Sequence, residues 1–468
     1  MRFERARVWA AYAGLLVLVV VLTVKASARL HNTDTYFHLR FGHEFAHGGW
    51  SVRDPGSVTS FGTAHWVPTQ WLPQVVMART EDAFGLAGVA WLFGLLFLSL
   101  ALALYWCCRR VAEPLVCAVG VALVLVACSP GLSMRPQMVS YLLVAVTAGL
   151  WLGARTTGRA PWVLVPLTWV WTMCHGMWPA GILIGLAAVV GLALDRSHPP
   201  RILARMAAVP LLSAAAVLVT PAGPGLFGAV LRVSSRARYF HEWRPTDFHE
   251  PYALVLLALL ALAVVPRLRA PEPAPWFEVA MIGLAVLFGV YSTRTVPVSA
   301  CLVAPFAAGG VQRWFGAAPR VRRQERFAVL GGWAVALAVL ALVVPHTADE
   351  PLDSPSWMDG ALGDLPDGTV VLDEIGYGGY LMWRFPQLDV VASGYGDVYT
   401  DDELERNADV EGVRGGWVED VKSFHAAYAV LPPGSPLAYA LRQVEHWTVV
   451  DQGDDLQLLA PPPGWYDS

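Results

Sequence analysis

Hydrophobic and polar positions alternate in two styles along this chain. Up to about residue 345, long apolar blocks are separated by short loops carrying arginine; beyond it, short apolar runs alternate with polar segments. A helix needs roughly 20 apolar residues to cross a bilayer core, with about 17 as the lower limit. Blocks of that kind lie near 8–24, 85–106, 111–128, 138–153, 162–174, 179–194, 206–220, 252–266, 276–291, 297–311 and 327–345. They predict about eleven membrane spans, some short or interrupted by proline, with 162–174 the least apolar in character.

After a polar, proline-containing linker from His346 to Trp357, the pattern changes period. Strand-like runs at Thr369–Leu372, Val390–Ala392, Ala427–Leu431, Trp447–Val450 and Leu456–Leu459 alternate with helical patterns such as Tyr380–Arg384, Trp417–Ala426 and Pro436–Val444. Alternation of this kind predicts a small α/β domain. The expected architecture is therefore mostly α: a helical membrane domain over 1–345, its first long loop at 25–84, followed by an α/β domain over 346–468.

Composition supports the membrane class. Of 468 residues, 55% are hydrophobic and only 15% charged, against about 25% charged in soluble domains, and the mean hydropathy is +0.47. Lys25 and Lys422 are the only lysines, and the net charge is −4, so no nucleic-acid surface is expected. The six cysteines lie in or beside apolar segments, which argues against a disulfide framework or a cysteine zinc site.

Arginine sorts by loop. One set of loops holds Arg2, Arg5 and Arg7, then Arg109 and Arg110, Arg155 and Arg159, Arg196 to Arg205, Arg267 and Arg269, and Arg313 to Arg326. The short loops on the other side hold only Arg135, Arg294 and the group Arg232, Arg236, Arg238 and Arg244. The positive-inside rule places the first set in the cytoplasm. The amino terminus is then inside, while the 25–84 loop and the α/β domain are outside a bacterial plasma membrane. The opening basic and apolar stretch with Ala26-Ser27-Ala28 also resembles a cleavable signal; its length and Lys25 favour a retained span.

Polar residues avoid the spans, as the cost of a charge at mid-bilayer demands, and gather at the outer ends. The first loop carries Asp34, His38, Arg40, His43, Glu44, His47 and Asp54; other outer junctions carry Arg135 with Gln137, His175, the run His241-Glu242-Trp243-Arg244, and Arg294. Five junctions bearing acid, imidazole and guanidinium groups point to one shared polar cavity.

The first loop reads Asp34-Thr35-Tyr36-Phe37-His38-Leu39-Arg40-Phe41-Gly42, His47-Gly48, Asp54-Pro55, Ser60-Phe61-Gly62, Trp66 and Gln70-Trp71-Leu72. Farther on come Arg135-Pro136-Gln137, Trp171 with His175-Gly176, Thr220-Pro221 with Gly223, Glu242-Trp243, Arg294 with Pro297, and Gly378-Gly379-Tyr380-Leu381 with Trp383. This ordered series resembles bacterial multi-span proteins of the GT-C glycosyltransferase superfamily. It departs from them where Ser393-Gly394-Tyr395 precedes Asp397-Val398-Tyr399, since related tails often carry Asp-Gly-Arg there.

The resemblance implies transfer of a sugar, with inversion, from a polyprenyl-phosphate donor to a glycan, lipid or protein acceptor at the outer face. It implies Asp34 as general base, with Arg135, Arg244 and Arg294 holding phosphate. Gln137 and His175 join the substrate-binding set, and His38 and Glu242 orient the base or help bind a divalent ion, Mg or Mn, which only some branches use. The tail would recognise the acceptor or cover the cavity.

A rival motif overlaps the loop. His43-Glu44-Phe45-Ala46-His47 fits H-E-x-x-H, in which histidines at i and i+4 bind zinc and the glutamate activates water. It would make the chain a membrane zinc peptidase. Against it, Gly48 and Gly49 stop the helix at once, and no second motif marks a third ligand. A transport or non-catalytic role on the same scaffold is the remaining alternative; broken helices or mid-bilayer charges would be its signature.

Overall fold

The computed structural model describes residues 2–26, 30–235, 239–316, 321, 323–353 and 355–467. Arg236, Arg238, Arg320 and Arg322, and the Ser27-Ala28 pair of the signal-like pattern, lie outside them. Among the described residues, thirteen α-helices precede the tail: α1 (Arg2–Ala26), α2 (Asp34–Ala46), α3 (Trp71–Cys108), α4 (Pro114–Ala127), α5 (Gln137–Thr157), α6 (Leu164–Cys174), α7 (Pro179–Leu194), α8 (Pro200–Ala216), α9 (Gly225–Ser235), α10 (Pro251–Leu268), α11 (Trp276–Tyr291), α12 (Val296–Gln312) and α13 (Arg323–Thr347). Every apolar block read from the sequence coincides with one of them. Six helical stretches are long and apolar enough to cross a membrane among the described residues, and five shorter apolar helices accompany them. The chain is a multi-pass membrane protein.

Local chemistry sets the helix ends. Pro114, Pro179, Pro200 and Pro251 occupy the first turns of α4, α7, α8 and α10, where a missing N–H costs nothing and the fixed φ suits the helix. Gly158 closes α5 in the left-handed conformation at φ 68°.

Two compact units form. The first comprises residues 1–28, 90–132 and 136–347. Its centre is α12, which packs against α4, α5, α10 and α11; 89% of its apolar window is buried, against 22% for α13. The outward side chains of α13, Phe327, Val335 and Leu342, are 65%, 63% and 74% exposed. In a membrane protein such a face meets lipid rather than water.

Charges in this unit are paired at helix ends. Arg109, at the end of α3, reaches Glu325 at the start of α13 through Nε (2.6 Å) and Nη2 (3.0 Å), and Tyr105 Oη donates to the same carboxylate at 2.8 Å. Both ionic side chains are at most 4% exposed. Glu278 of α11 joins Arg155 at 3.1 Å and Arg267 at 2.8 Å, and Asp195 accepts from the N–H groups of Trp276 and Phe277 at the start of α11. The six cysteines are free and buried.

The second unit comprises residues 29–89, 133–135 and 348–468. The first long loop thus belongs with the tail, whereas the sequence reading grouped it with the spans. The reason is apolar side chains that the loop cannot bury by itself: Phe37, Phe41 and Trp66 all pack around Tyr395. The tail adds α14 (Ser356–Leu362), β1 (Thr369–Asp373), α15 (Ile375–Arg384), β2 (Leu388–Val390), α16 (Asp401–Glu411), α17 (Trp417–Phe424), β3 (Tyr428–Leu431), α18 (Pro436–Gln443), β4 (Thr448–Gln452) and β5 (Gln457–Ala460). All five expected strands are present. The sheet order is β2-β1-β3-β5-β4, with β1 parallel to β2 and β3 and with β5 antiparallel to β3 and β4. A register irregularity between Val449 and Asp451 marks the exposed edge strand β4.

At the carboxyl ends of β1 and β3 a cavity of about 400 Å³ is lined by Glu374, Glu411, Pro432 and Ser435, among others. Glu411 accepts from the Ile375 N–H at 2.7 Å, and burial pushes its carboxyl up from 4.5 to about 7.

Two predictions follow from these charges. Arg109→Ala leaves Glu325 buried beside an empty site and is expected to destabilise the protein by about 3–5 kcal/mol; a loss under about 1 kcal/mol in thermal unfolding in detergent would contradict the pairing. For Glu411, the folded state holds its proton more tightly than the unfolded chain, so stability falls as pH rises from 4.5 through about 7. At about 1.4 kcal/mol per pH step the loss is about 3 kcal/mol. Glu411→Gln should remove that slope; equal pH profiles for the two proteins would refute it.

Candidate functional site

Helix α2 begins at Asp34, whose N–H is held by Asn32 Oδ1 at 2.9 Å. Beside it lies the short turn 133–135. Thr35 Oγ1 donates to the Met134 carbonyl at 2.9 Å, which fixes the turn against the start of the helix. Arg135 then donates from Nη1 to Asp34 Oδ2 at 2.5 Å and from Nε to Ser133 Oγ at 3.0 Å. The carboxylate is 33% exposed and the guanidinium 11%, so the acid stays open on one side while the base of the pair is packed. Two sequence-predicted residues 101 positions apart are thereby brought together.

His38 stands one turn farther along α2, on the face that carries Asp34. It is buried, and Gln74 Nε2 lies 3.0 Å from its Nδ1. An amide N–H can only donate, so Nδ1 accepts and a neutral ring carries its proton on Nε2. Gln74 belongs to α3, which α2 approaches closely at Gly42. A Cβ on Gly42 would stand 2.1 Å from the Gln74 carbonyl oxygen.

The helical unit holds the other expected residues. Glu242 forms an ion pair with Arg294, whose guanidinium lies over the Trp243 ring, 4.9 Å from its centroid. The Arg244 carbonyl accepts from the Thr293 N–H at 3.1 Å, tying the two short segments together, and the Arg244 side chain is exposed. His175 is buried, with Ser140 Oγ at 2.9 Å from its Nδ1. Trp171 Nε1 donates to that same hydroxyl at 2.7 Å, and the Met177 N–H donates to His175 Nδ1 at 3.4 Å, so Nδ1 is an acceptor to which Ser140 can donate. Gln137 is turned inward and donates to the Gly131 carbonyl at 3.1 Å. The structure thus gives Gln137 a turn-closing contact and makes ion pairs of Asp34–Arg135 and Glu242–Arg294.

The tail glycines are packing positions. A Cβ on Gly378 would fall 1.6 Å from the Ala392 carbonyl oxygen, and one on Gly379 would meet Phe37 of α2 at 3.0 Å. Tyr395, at the position where the tail departs from related ones, is buried among Phe37, Phe41 and Trp66.

The H-E-x-x-H segment ends α2, with His47 at its C-cap. Glu44 is held by Arg40 at 2.9 Å. A third ligand position, which the sequence reading did not find, is supplied by Asp82 of α3: His43, His47 and Asp82 each offer a ligand atom, all within 4.8 Å of one another. His43 Nε2 lies 2.9 Å from Glu81 Oε2, and this hydrogen bond raises the affinity of His43 for its proton. The signal was the acidic pair Glu81-Asp82 just before an apolar block, unmarked because the spacing to His43 is not that of a local motif.

No protein-family model and no curated relative matches the chain. Among solved structures it is similar to the apo oligosaccharyltransferase of Archaeoglobus fulgidus (TM-score 0.54, 12% identity, covering 90% of this chain and 69% of that one). The same archaeal protein, AglB, in complex with an inhibitory peptide and a dolichol-phosphate, gives a TM-score of 0.52 at 12% identity with the same coverage. ArnT from Cupriavidus metallidurans in the apo state gives 0.52 at 17% identity over 98% of this chain and 99% of that one. At these identities the likeness is one of fold: the chain has the fold of the GT-C glycosyltransferases.

Proposed function

We propose that this protein is a glycosyltransferase of the outer membrane face, moving a sugar from a polyprenyl-phosphate donor to an extracytoplasmic acceptor with Asp34 as general base. The observation that carries the reading is the half-open Asp34 carboxylate at the start of α2, held in place by Arg135. The shared fold supports it, as does the dolichol-phosphate seen with AglB.

In this reaction the acceptor oxygen attacks the anomeric carbon as the bond from that carbon to the phosphate oxygen breaks. The acceptor proton passes to Asp34, and polyprenyl phosphate leaves without needing a proton. Base catalysis of this kind contributes typically about 10²–10⁴-fold. Cationic forks stabilise the departing phosphate; Arg135, beside Asp34 in the same unit, is the group assigned to it. His38, buried with its Nδ1 accepting from Gln74, serves as a hydrogen-bonding group beside Asp34. Glu242 is paired with Arg294.

The orientation expected from the arginine loops places the amino terminus inside and the tail outside. Reporter fusions near residue 200 and after the carboxy terminus should read cytoplasmic and external respectively; a cytoplasmic tail would overturn the assignment. Asp34→Asn keeps the shape but cannot take the proton, so donor consumption with polyprenyl-phosphate sugars and an acceptor extract should fall by about 10²-fold or more with donor binding retained. Glu44→Gln should leave transfer intact. The reverse ranking, with Glu44→Gln inactive and Asp34→Asn active, would favour the peptidase reading.

A further inference from the structure

We propose that His43, His47 and Asp82 bind one zinc ion that clamps α2 to α3, at a site separate from the base Asp34. The nine residues from Asp34 to His43 put the two sites about 14 Å apart along the helix axis at about 1.5 Å per residue.

The geometry is that of a ligand set. Histidines at i and i+4 lie on one helix face, and here their rings are 6.0 Å apart and nearly parallel, at 24°. His43 Nδ1 is 3.6 Å from Asp82 Oδ1, too long for a hydrogen bond, and His47 Nε2 is 2.9 Å from Asp82 Oδ2. Zinc ligands about 2.0–2.2 Å from the metal stand about 3.3 Å apart in a tetrahedron, a spacing the two contacts to Asp82 bracket, and the three ligand atoms all lie within 4.8 Å.

The surroundings supply the second argument. Metal-binding histidines give their other ring N–H to a carboxylate, which fixes the tautomer and strengthens the ligand. Glu81 does this for His43: it accepts from Nε2 at 2.9 Å, leaving the Nδ1 lone pair toward Asp82. Glu81 is itself oriented by Trp383 Nε1, which donates to Oε1 at 2.9 Å. Arg79 Nη1 lies 3.3 Å from His47 Nε2. Without metal, Nε2 carries the proton and donates to Asp82 Oδ2 at 2.9 Å, so zinc would replace a proton between two atoms already near ligand spacing. The 55%-exposed Arg79 side chain also donates from Nη2 to the Ala46 carbonyl at 3.2 Å, beside the site.

Imidazole and carboxylate together suit zinc. The three protein ligands leave a fourth position for water. Glu44, which would activate that water in a peptidase, is instead paired with Arg40, so the site is a structural clamp.

The test uses the full chain, purified in detergent with a tag lacking histidine, stripped with chelator and titrated with Zn²⁺. Cobalt substitution reports the coordination by its visible absorption. One zinc per chain is expected, raising the unfolding temperature. Affinity should drop at least about 100-fold in His47→Ala and Asp82→Asn, and about 10–100-fold in Glu81→Gln, where only the orienting carboxylate is lost. Asp34→Asn and Glu44→Gln should bind as the native protein does. His47 and Asp82 are 48% and 36% exposed, so these variants keep the core, and size-exclusion profiles confirm that they fold. Absence of zinc binding by the folded native protein would overturn the proposal, leaving a plain ion-pair cluster. Binding unchanged in both His47→Ala and Asp82→Asn, or lost in Glu44→Gln, would overturn it equally.

Discussion

Helix α2 carries Asp34, the proposed base, on a segment outside the membrane spans, and its placement depends on close contact at two glycines. Gly42 lets it settle on the Gln74 carbonyl of α3, and Gly379 lets α15 settle on Phe37. A side chain at Gly42 would force its helix off α3, and one at Gly379 would press against Phe37. Once the helices are in contact, Tyr36 meets Tyr380 and Trp383, and Phe37 and Phe41 meet Tyr395. Burial of these rings, each worth about 1.5–3 kcal/mol, is what fixes the direction of α2, and with it where Asp34 presents its carboxylate.

Much of this was legible in the sequence, and the reason is that hydropathy is local. A span or strand announces itself over 5 to 20 consecutive positions, so the eleven apolar blocks and the five tail strands were readable. The partnership of the first loop with the tail was not, because Phe37 and Tyr395 are separated by hundreds of residues and neither is unusual alone. Helix α16 also escaped. Its sequence is strongly polar, and the sign that it begins at Asp401 is a reciprocal cap between Thr400 and Glu403 rather than an apolar stripe. Asp34 and Arg135 could be singled out as polar residues at span ends, yet only the turn at Met134 explains why they form a pair. Asp82 had no local pattern at all.

Several charged residues of the helical unit sit where a partner or a helix end satisfies them. Glu278 serves two arginines, Asp195 caps α11, and Glu325 takes a fork from Arg109 with a tyrosine hydroxyl beside it. A buried pair of this kind contributes little net stability but penalises alternatives in which one partner is missing. The arginines at these helix ends hold their partners firmly, since a guanidinium offers several donors at fixed angles.

The irregular pairing at Val449 and Asp451 bears on how the protein behaves among copies of itself. A membrane confines neighbours to a plane, where exposed sheet edges meet often. An edge strand whose ladder is broken, and which carries an acidic residue at the break, offers an incoming strand no continuous row of donors and acceptors. Crowding in the bilayer can raise the encounter rate of these tails without extending their sheets into one another.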